Sequence, residues 1–119
     1  MATSHDLGKT SESIAADYLL ARGYSILERN YRVGHKEVDL IASRDCVIAF
    51  VEVKSRAGIG YGHPLEAITW KKRREIAYVA RVWIAANGRA GLLYRFDAVA
   101  VLWRYQDPVV EHIPDAWRL

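Results

Sequence analysis

The chain has 119 residues, 51% of them hydrophobic and 26% charged, with a formal net charge of +3. That length fits one domain, 1–119, whose apolar content supports a core without disulfides and excludes a disordered chain. The longest apolar runs, Val47–Val51 and Ala98–Trp103, fall far short of the roughly 20 residues of a membrane span. Met1–Thr10 has no apolar stretch of the secretory type. The single Cys46, flanked by Val47 and Ile48, reads as a small core residue, and one cysteine with no secretory signal fits a reducing cytoplasm. No zinc-type Cys/His spacing and no phosphate-cradling glycine loop occurs.

His5 to Arg22 carries Ile14, Ala15, Tyr18, Leu19 and Ala21 at helical spacing, with Gly23 suited to the left-handed position after the helix. Tyr24–Arg32 reads as a strand, although Ile26 followed by Leu27 breaks strict alternation. Val33-Gly34-His35 is a turn, Glu37–Ser43 a second strand and Arg44-Asp45 a tight turn. Val47–Ser55 is a third strand, its apolar run typical of a central strand covered on both faces. Ala57–Pro64, with Gly58, Gly60 and Gly62, is a loop in which Tyr61 is a candidate substrate contact on a flap.

A second helix starts after Thr69, a suitable N-cap, and runs to Asn87 with Gly88 as its stop. Ile76, Ala80 and Trp83 mark its buried stripe. Tyr94–Arg104 is a fourth strand and Val109–Ile113 a short fifth. The order α-β-β-β-α-β-β predicts an α/β fold with a mixed central sheet flanked by helices. Trp70, Trp83, Trp103 and Trp117 read as core or interface residues, Trp117 docking the tail. His35, His63 and His112 share no ligand spacing and read as solvated or core histidines.

Asp39, Glu52 and Lys54 carry the chemistry. Strand alternation puts Glu52 and Lys54 on one face of the third strand. A two-residue turn at Arg44-Asp45 sets Asp39 opposite Phe50 and diagonal to Glu52; a four-residue loop sets the two acids directly opposite; a three-residue loop separates them. Charges on an apolar strand need a partner or an ion. Oxygen donors of this kind suit Mg²⁺ (or Mn²⁺), with Lys54 holding the attacking water or stabilising charge on a phosphate. Spacing alone leaves a plain ion pair between Lys54 and Glu52 or Glu37 equally open.

Glu37 shares the Asp39 face as a further acidic ligand or an ion-pair partner. Arg56 continues the Glu52/Lys54 face. In the cationic run Lys71-Lys72-Arg73-Arg74, Lys71 and Arg74 are three apart, share a helix face and form the candidate phosphate-gripping pair. Its bland reading is the solvated face of a helix.

Glu37-Val38-Asp39-Leu40-Ile41-Ala42, followed by Phe50-Val51-Glu52-Val53-Lys54-Ser55-Arg56, resembles the PD-(D/E)xK nuclease signature. More narrowly the chain resembles the YraN-like family of small, largely uncharacterised bacterial proteins, similar in fold to archaeal Holliday junction resolvases. The likeness runs through Glu12, Ala15-Ala16, Tyr18-Leu19, Gly23-Tyr24, Arg29-Asn30-Tyr31-Arg32, Lys71 and Arg95-Phe96-Asp97. It implies a restriction-endonuclease-like core, a metal held by Asp39, Glu52 and the helix-borne Glu12, and Lys54 at the water. It also implies DNA, branched DNA included, as substrate, with a homodimer as the assembly such resolvases often adopt. Lys36 stands where the family usually has glycine, as an added phosphate contact or a perturbation of the metal. The readings from other classes are a nucleic-acid-binding module that does not cut, and an interaction module whose acidic cluster is structural.

Overall fold

The computed structural model describes residues 4–57, 64–104 and 107–118. Its elements are α1 (Ser4–Ala21), β1 (Ser25–Val33), β2 (Lys36–Arg44), β3 (Val47–Ala57), a 3-10 turn (Pro64–Ala67), α2 (Trp70–Asn87), β4 (Leu93–Arg104) and β5 (Asp107–Trp117). The five strands form one mixed sheet in the order β1-β2-β3-β4-β5. Only β3 and β4 pair in parallel, and α2 makes the crossover between them. The expected α/β order is what the structure contains. The 3-10 turn is an addition at the end of the expected loop, and the Tyr61 flap lies outside the described residues.

Each helix covers one face of the sheet. Ala15, Ala16 and Leu19 of α1 pack on Leu40, Ala42, Ala49, Val51, Val53, Val99 and Val101. Ile76, Val79, Ala80 and Trp83 of α2 pack on Ile41, Ile48, Phe50 and Ala98. Phe50, fully buried, meets the rings of Trp83, Tyr94 and Phe96 at 5.8–6.5 Å. β3 is thus the doubly covered central strand that its apolar run predicts.

α1 ends as expected. Gly23 takes φ +89°, its N–H donates to Leu20 O, and Tyr24 N–H reaches back to Leu19 O. This paired pattern satisfies two carbonyls of the last turn. Thr69 caps α2 by accepting from Lys72 N–H at 3.1 Å. Gly88 stops α2, as expected, without a left-handed turn. Its φ is −68°, and a Cβ there would lie 2.6 Å from Ile84 O and 2.8 Å from the Tyr94 hydroxyl. Lack of room, not handedness, demands glycine.

Three local expectations are corrected, and one expected irregularity finds its cause. The hairpin turn is Asp45-Cys46, because β2 and β3 pair from Arg44–Val47 onward, with Asp45 at φ +55°. Asp tolerates that conformation better than arginine does. Cys46 therefore sits at a turn and is exposed, not in the core. The irregularity at Ile26-Leu27 is a bulge in β1, which lets the strand keep its pairing with β2. β5 is longer than Val109–Ile113: it reaches Trp117, whose ring stacks on Phe96 at 5.3 Å and docks the tail.

Candidate functional site

The sheet forks at one end, and the acidic residues fill the fork. Pairing of β2 with β3 runs from Arg44–Val47 to Leu40–Val51 and goes no further. Beyond it β2 stays paired to β1 as far as Lys36, while β3 stays paired to β4 as far as Ala57. One more step of the register sets Asp39 directly across from Glu52. This is the geometry expected of a four-residue loop, reached with a two-residue turn shifted by one position. At the fork a side chain replaces the ladder: Val53 N–H donates to Asp39 Oδ2 at 2.8 Å.

Since α1 and α2 lie on opposite faces, each reaches the fork from its own side. Glu12 comes from α1. It lies in side-chain hydrogen-bonding reach of Asp39 and Asn30. Carboxylate oxygens of Glu12, Glu37 and Asp39 all lie within 4.8 Å of one another. Asp39 is also in side-chain reach of Glu52. From α2 comes Lys72, whose Nζ donates to Glu37 main-chain O at 3.2 Å and lies 4.0 Å from Glu52 Oε2. Lys54 Nζ is 3.6 Å from the same oxygen.

The acids are under strain. Asp39 is pushed up to about 8, first by burial and then by the charge of Glu52. Glu12 is also raised, by burial and then by Asp39. Glu52 is 3% exposed, and its Oε1 is buried with no hydrogen-bond partner. Such an atom normally costs about 1–3 kcal/mol and calls for an explanation. An all-oxygen donor set with one orphaned carboxylate oxygen, whose like charge Arg32, Lys54 and Lys72 relieve only in part, fits a hard divalent cation.

The remaining expected residues are distributed as follows. Lys54 is one-third exposed beside Glu52. Glu37 pairs with Arg32 at 2.6 Å, rather than with Lys36 or Lys54. Lys36 lies over the Tyr78 ring at 4.4 Å, turned to α2. Arg56 is half-buried on the β3 run beyond Lys54. Lys71 and Arg74 are exposed and meet none of the carboxylates. Lys72 is the helix cation at the fork, and sequence reasoning missed it. Its signal was present: Lys72, Ile76, Val79 and Trp83 share one helical stripe, and three of them are buried core residues.

Asp97 was also missed as a polar centre. It is completely buried, holds Arg95 through two bonds of 2.8 and 3.0 Å, lies 2.8 Å from His112 Nε2, and accepts from Asp115 N–H at 3.0 Å. Arg95 also donates to the Tyr24 hydroxyl at 2.6 Å. His112 is thus half-buried and bonded, its ring set edge-on to Tyr18 and Tyr24.

Fold and fork together define a small α/β protein that gathers four carboxylates where the two central antiparallel strands of a mixed sheet part. The chain belongs to the uncharacterised protein family UPF0102, whose model matches residues 11–101. That span includes Glu12, Glu37, Asp39, Glu52, Lys54, Lys72 and Asp97. It is 44% identical to a UPF0102 protein of Prosthecochloris aestuarii over 95% of this chain and 94% of the relative. It is 43% identical to one of Clavibacter michiganensis over 98% and 99%. To one of Chloroherpeton thalassium it is 46% identical over 86% and 79%. Among the described residues no helix is long and apolar enough to cross a membrane.

Proposed function

We propose that this protein is a divalent-metal-dependent phosphodiesterase that cuts DNA in the cytoplasm. The observation that carries the reading is the fork itself. Asp39 and Glu52 meet inside an apolar frame with one oxygen of Glu52 unpartnered, while Glu12 and Glu37 add oxygen donors within 4.8 Å of Asp39. A structural ion pair would be built to satisfy its acids, and this cluster leaves them short of positive charge.

Asp39 and Glu12, with Glu37 converging on them and Glu52 in reach of Asp39, would hold Mg²⁺ or Mn²⁺. Bound there, such an ion supplies a polarised phosphate oxygen and a water of lowered pKa. Lys54 and Lys72 are the chain's own contribution to charge. Both ammonium groups stand at Glu52 Oε2, where they restrain that carboxylate and face the phosphate's developing charge. Glu37, tied by Arg32, keeps its main-chain oxygen on Lys72 and so orients that ammonium.

The test is a cleavage assay with Mg²⁺ and with Mn²⁺ on linear, flapped and four-way DNA, run beside Glu52→Ala. Divalent-dependent cleavage that Glu52→Ala abolishes with the fold intact is the expected result. Salt-sensitive binding of DNA without cleavage would replace the reading with a binding module. Cleavage by Glu52→Ala at the wild-type rate would remove the mechanism.

A further inference from the structure

The outer side of α2 carries a second, separate arrangement. Trp70, Arg74, Ala77 and Arg81 follow one another at helical spacing and line a pocket of about 590 Å³, whose rim Arg118, just past β5, completes. Ala77 is buried and forms the floor, while Trp70 is 61% exposed at one end. Of the tryptophans expected in the core or at an interface, Trp83 and Trp117 are core residues and Trp70 is not.

An exposed indole costs solvation unless something covers it, and this one is held in place. Arg73 donates to Leu65 O and Ile68 O at 2.8 and 2.9 Å, and its guanidinium lies over the Trp70 ring at 4.6 Å. One ring face is backed by a fixed cation, which stiffens the ring and leaves indole surface for a partner. Arg74 and Arg81 form no ion pair or hydrogen bond among the described residues. Arg118 pairs with Asp115 at 2.6 Å. No acidic side chain lines the pocket.

We infer that this pocket binds single-stranded nucleic acid, with an unpaired base stacked on Trp70 and successive phosphates on Arg74, Arg81 and Arg118. A flat aromatic surface with cations spaced along a helix is the chemistry that tracks an unstacked strand. A duplex keeps its bases stacked internally and offers Trp70 nothing. Lys72 and Trp70 leave α2 on opposite sides of its first turn, so a strand held on the outer side reaches the fork by passing that end of the helix. The inference rests on the phosphodiesterase reading for its biological sense and specifies its substrate as DNA with an unpaired segment. Binding here needs no metal.

The experiment measures anisotropy of a labelled oligothymidylate and of a length-matched duplex, in chelator, so that cleavage plays no part. Trp70→Ala should weaken oligothymidylate binding about 5- to 100-fold and leave duplex binding nearly unchanged. Trp70→Phe, which keeps a stacking ring, should stay within about threefold of wild type. Arg74→Gln and Arg81→Gln should each flatten the slope of log affinity against log salt by about 0.7. Oligothymidylate binding that Trp70→Ala leaves unchanged overturns the inference. So does displacement of the oligonucleotide by polyglutamate of equal charge, which would mark an acidic protein segment as the occupant. Trp70-dependent binding without any cleavage would sink the phosphodiesterase reading alone; cleavage with Trp70-independent binding would sink this one alone.

Discussion

Asp97 on β4 and Asp39 on β2 both bring a carboxylate into the sheet, and their surroundings diverge. Asp97 is 0% exposed, yet each oxygen has partners: the Arg95 guanidinium, His112 and the Asp115 N–H. Burial pushes its pKa up, but the bonds to His112 and Arg95 outweigh that and hold it below the usual aspartate range. Asp39 is buried beside Glu52 and Glu12, and its one backbone donor, Val53, and the charge of Lys72 do not offset that, so it is held far above that range. One aspartate is neutralised by its own protein; the other waits for charge from elsewhere. The difference separates an acid that ties the fold together from acids whose charge the fold leaves unbalanced, as the proposed metal site requires.

The sharpest way to break this comparison is at Glu52. If the fork is a metal site, Glu52→Ala should lower divalent-dependent cleavage by about three orders of magnitude, the several kcal/mol that a metal's charge stabilisation represents. Calorimetric titration with Mn²⁺ should lose its binding signal in the same protein. Asp97→Asn keeps the fork intact and should leave the Mn²⁺ affinity within a few-fold. Equal losses in the two variants would mean that the two regions are one structural unit.

Stability should order the variants the other way. Removing Asp97 strands Arg95 and His112 in a half-buried setting, so Asp97→Ala should cost about 3–5 kcal/mol in urea unfolding. Asp39→Asn removes like charge while its amide oxygen still accepts from Val53. The metal-free protein should gain about 1–3 kcal/mol near pH 8. A destabilised Asp39→Asn would show that its carboxylate is a structural member of the fork.

Much of this architecture was legible in the residue pattern, and the gaps have physical causes. Strand parity correctly joins Glu52 with Lys54, and the apolar run correctly centres β3. The register was open because hairpin loops of two and four residues place Asp39 differently, and only the left-handed Asp45 decides it. Lys72 escaped because a four-residue cationic run invites pairing by mutual spacing, Lys71 with Arg74, rather than by position on the stripe of Ile76 and Trp83. Reading that stripe as a continuous line would have found it. The fork could not be read at all. Where β2 and β3 stop pairing is set by side-chain chemistry, Asp39 taking the Val53 N–H, and not by any local propensity. Asp97 was visible as a carboxylate just before an apolar run, within the Arg95-Phe96-Asp97 stretch; its partners His112 and Asp115 come from β5, and its neighbour Arg95 is tied to the remote Tyr24.

The pH dependence of the metal-free protein sets the two aspartates against each other. Asp97, depressed in the folded state, contributes stability that is present above the unfolded aspartate value of about 3.9 and is lost as pH falls through its lower folded value. Asp39, raised to about 8, has the opposite sign: the folded state holds a proton that the unfolded state has released, so unfolding free energy falls as pH rises from about 4 to about 8. Chemical denaturation in chelator should therefore show stability declining across pH 5 to 8, a decline of order 1 kcal/mol per unit at most, since the proton is shared with Glu52 and Glu12. Asp39→Asn should flatten that decline and leave the acid limb, set by Asp97, in place. Saturating Mn²⁺ should reverse it, because binding displaces the proton and tightens as pH rises. A chelated wild-type protein equally stable at pH 5 and pH 8 would show that burial and Glu52 do not raise Asp39, and that the fork is already balanced by Lys54 and Lys72.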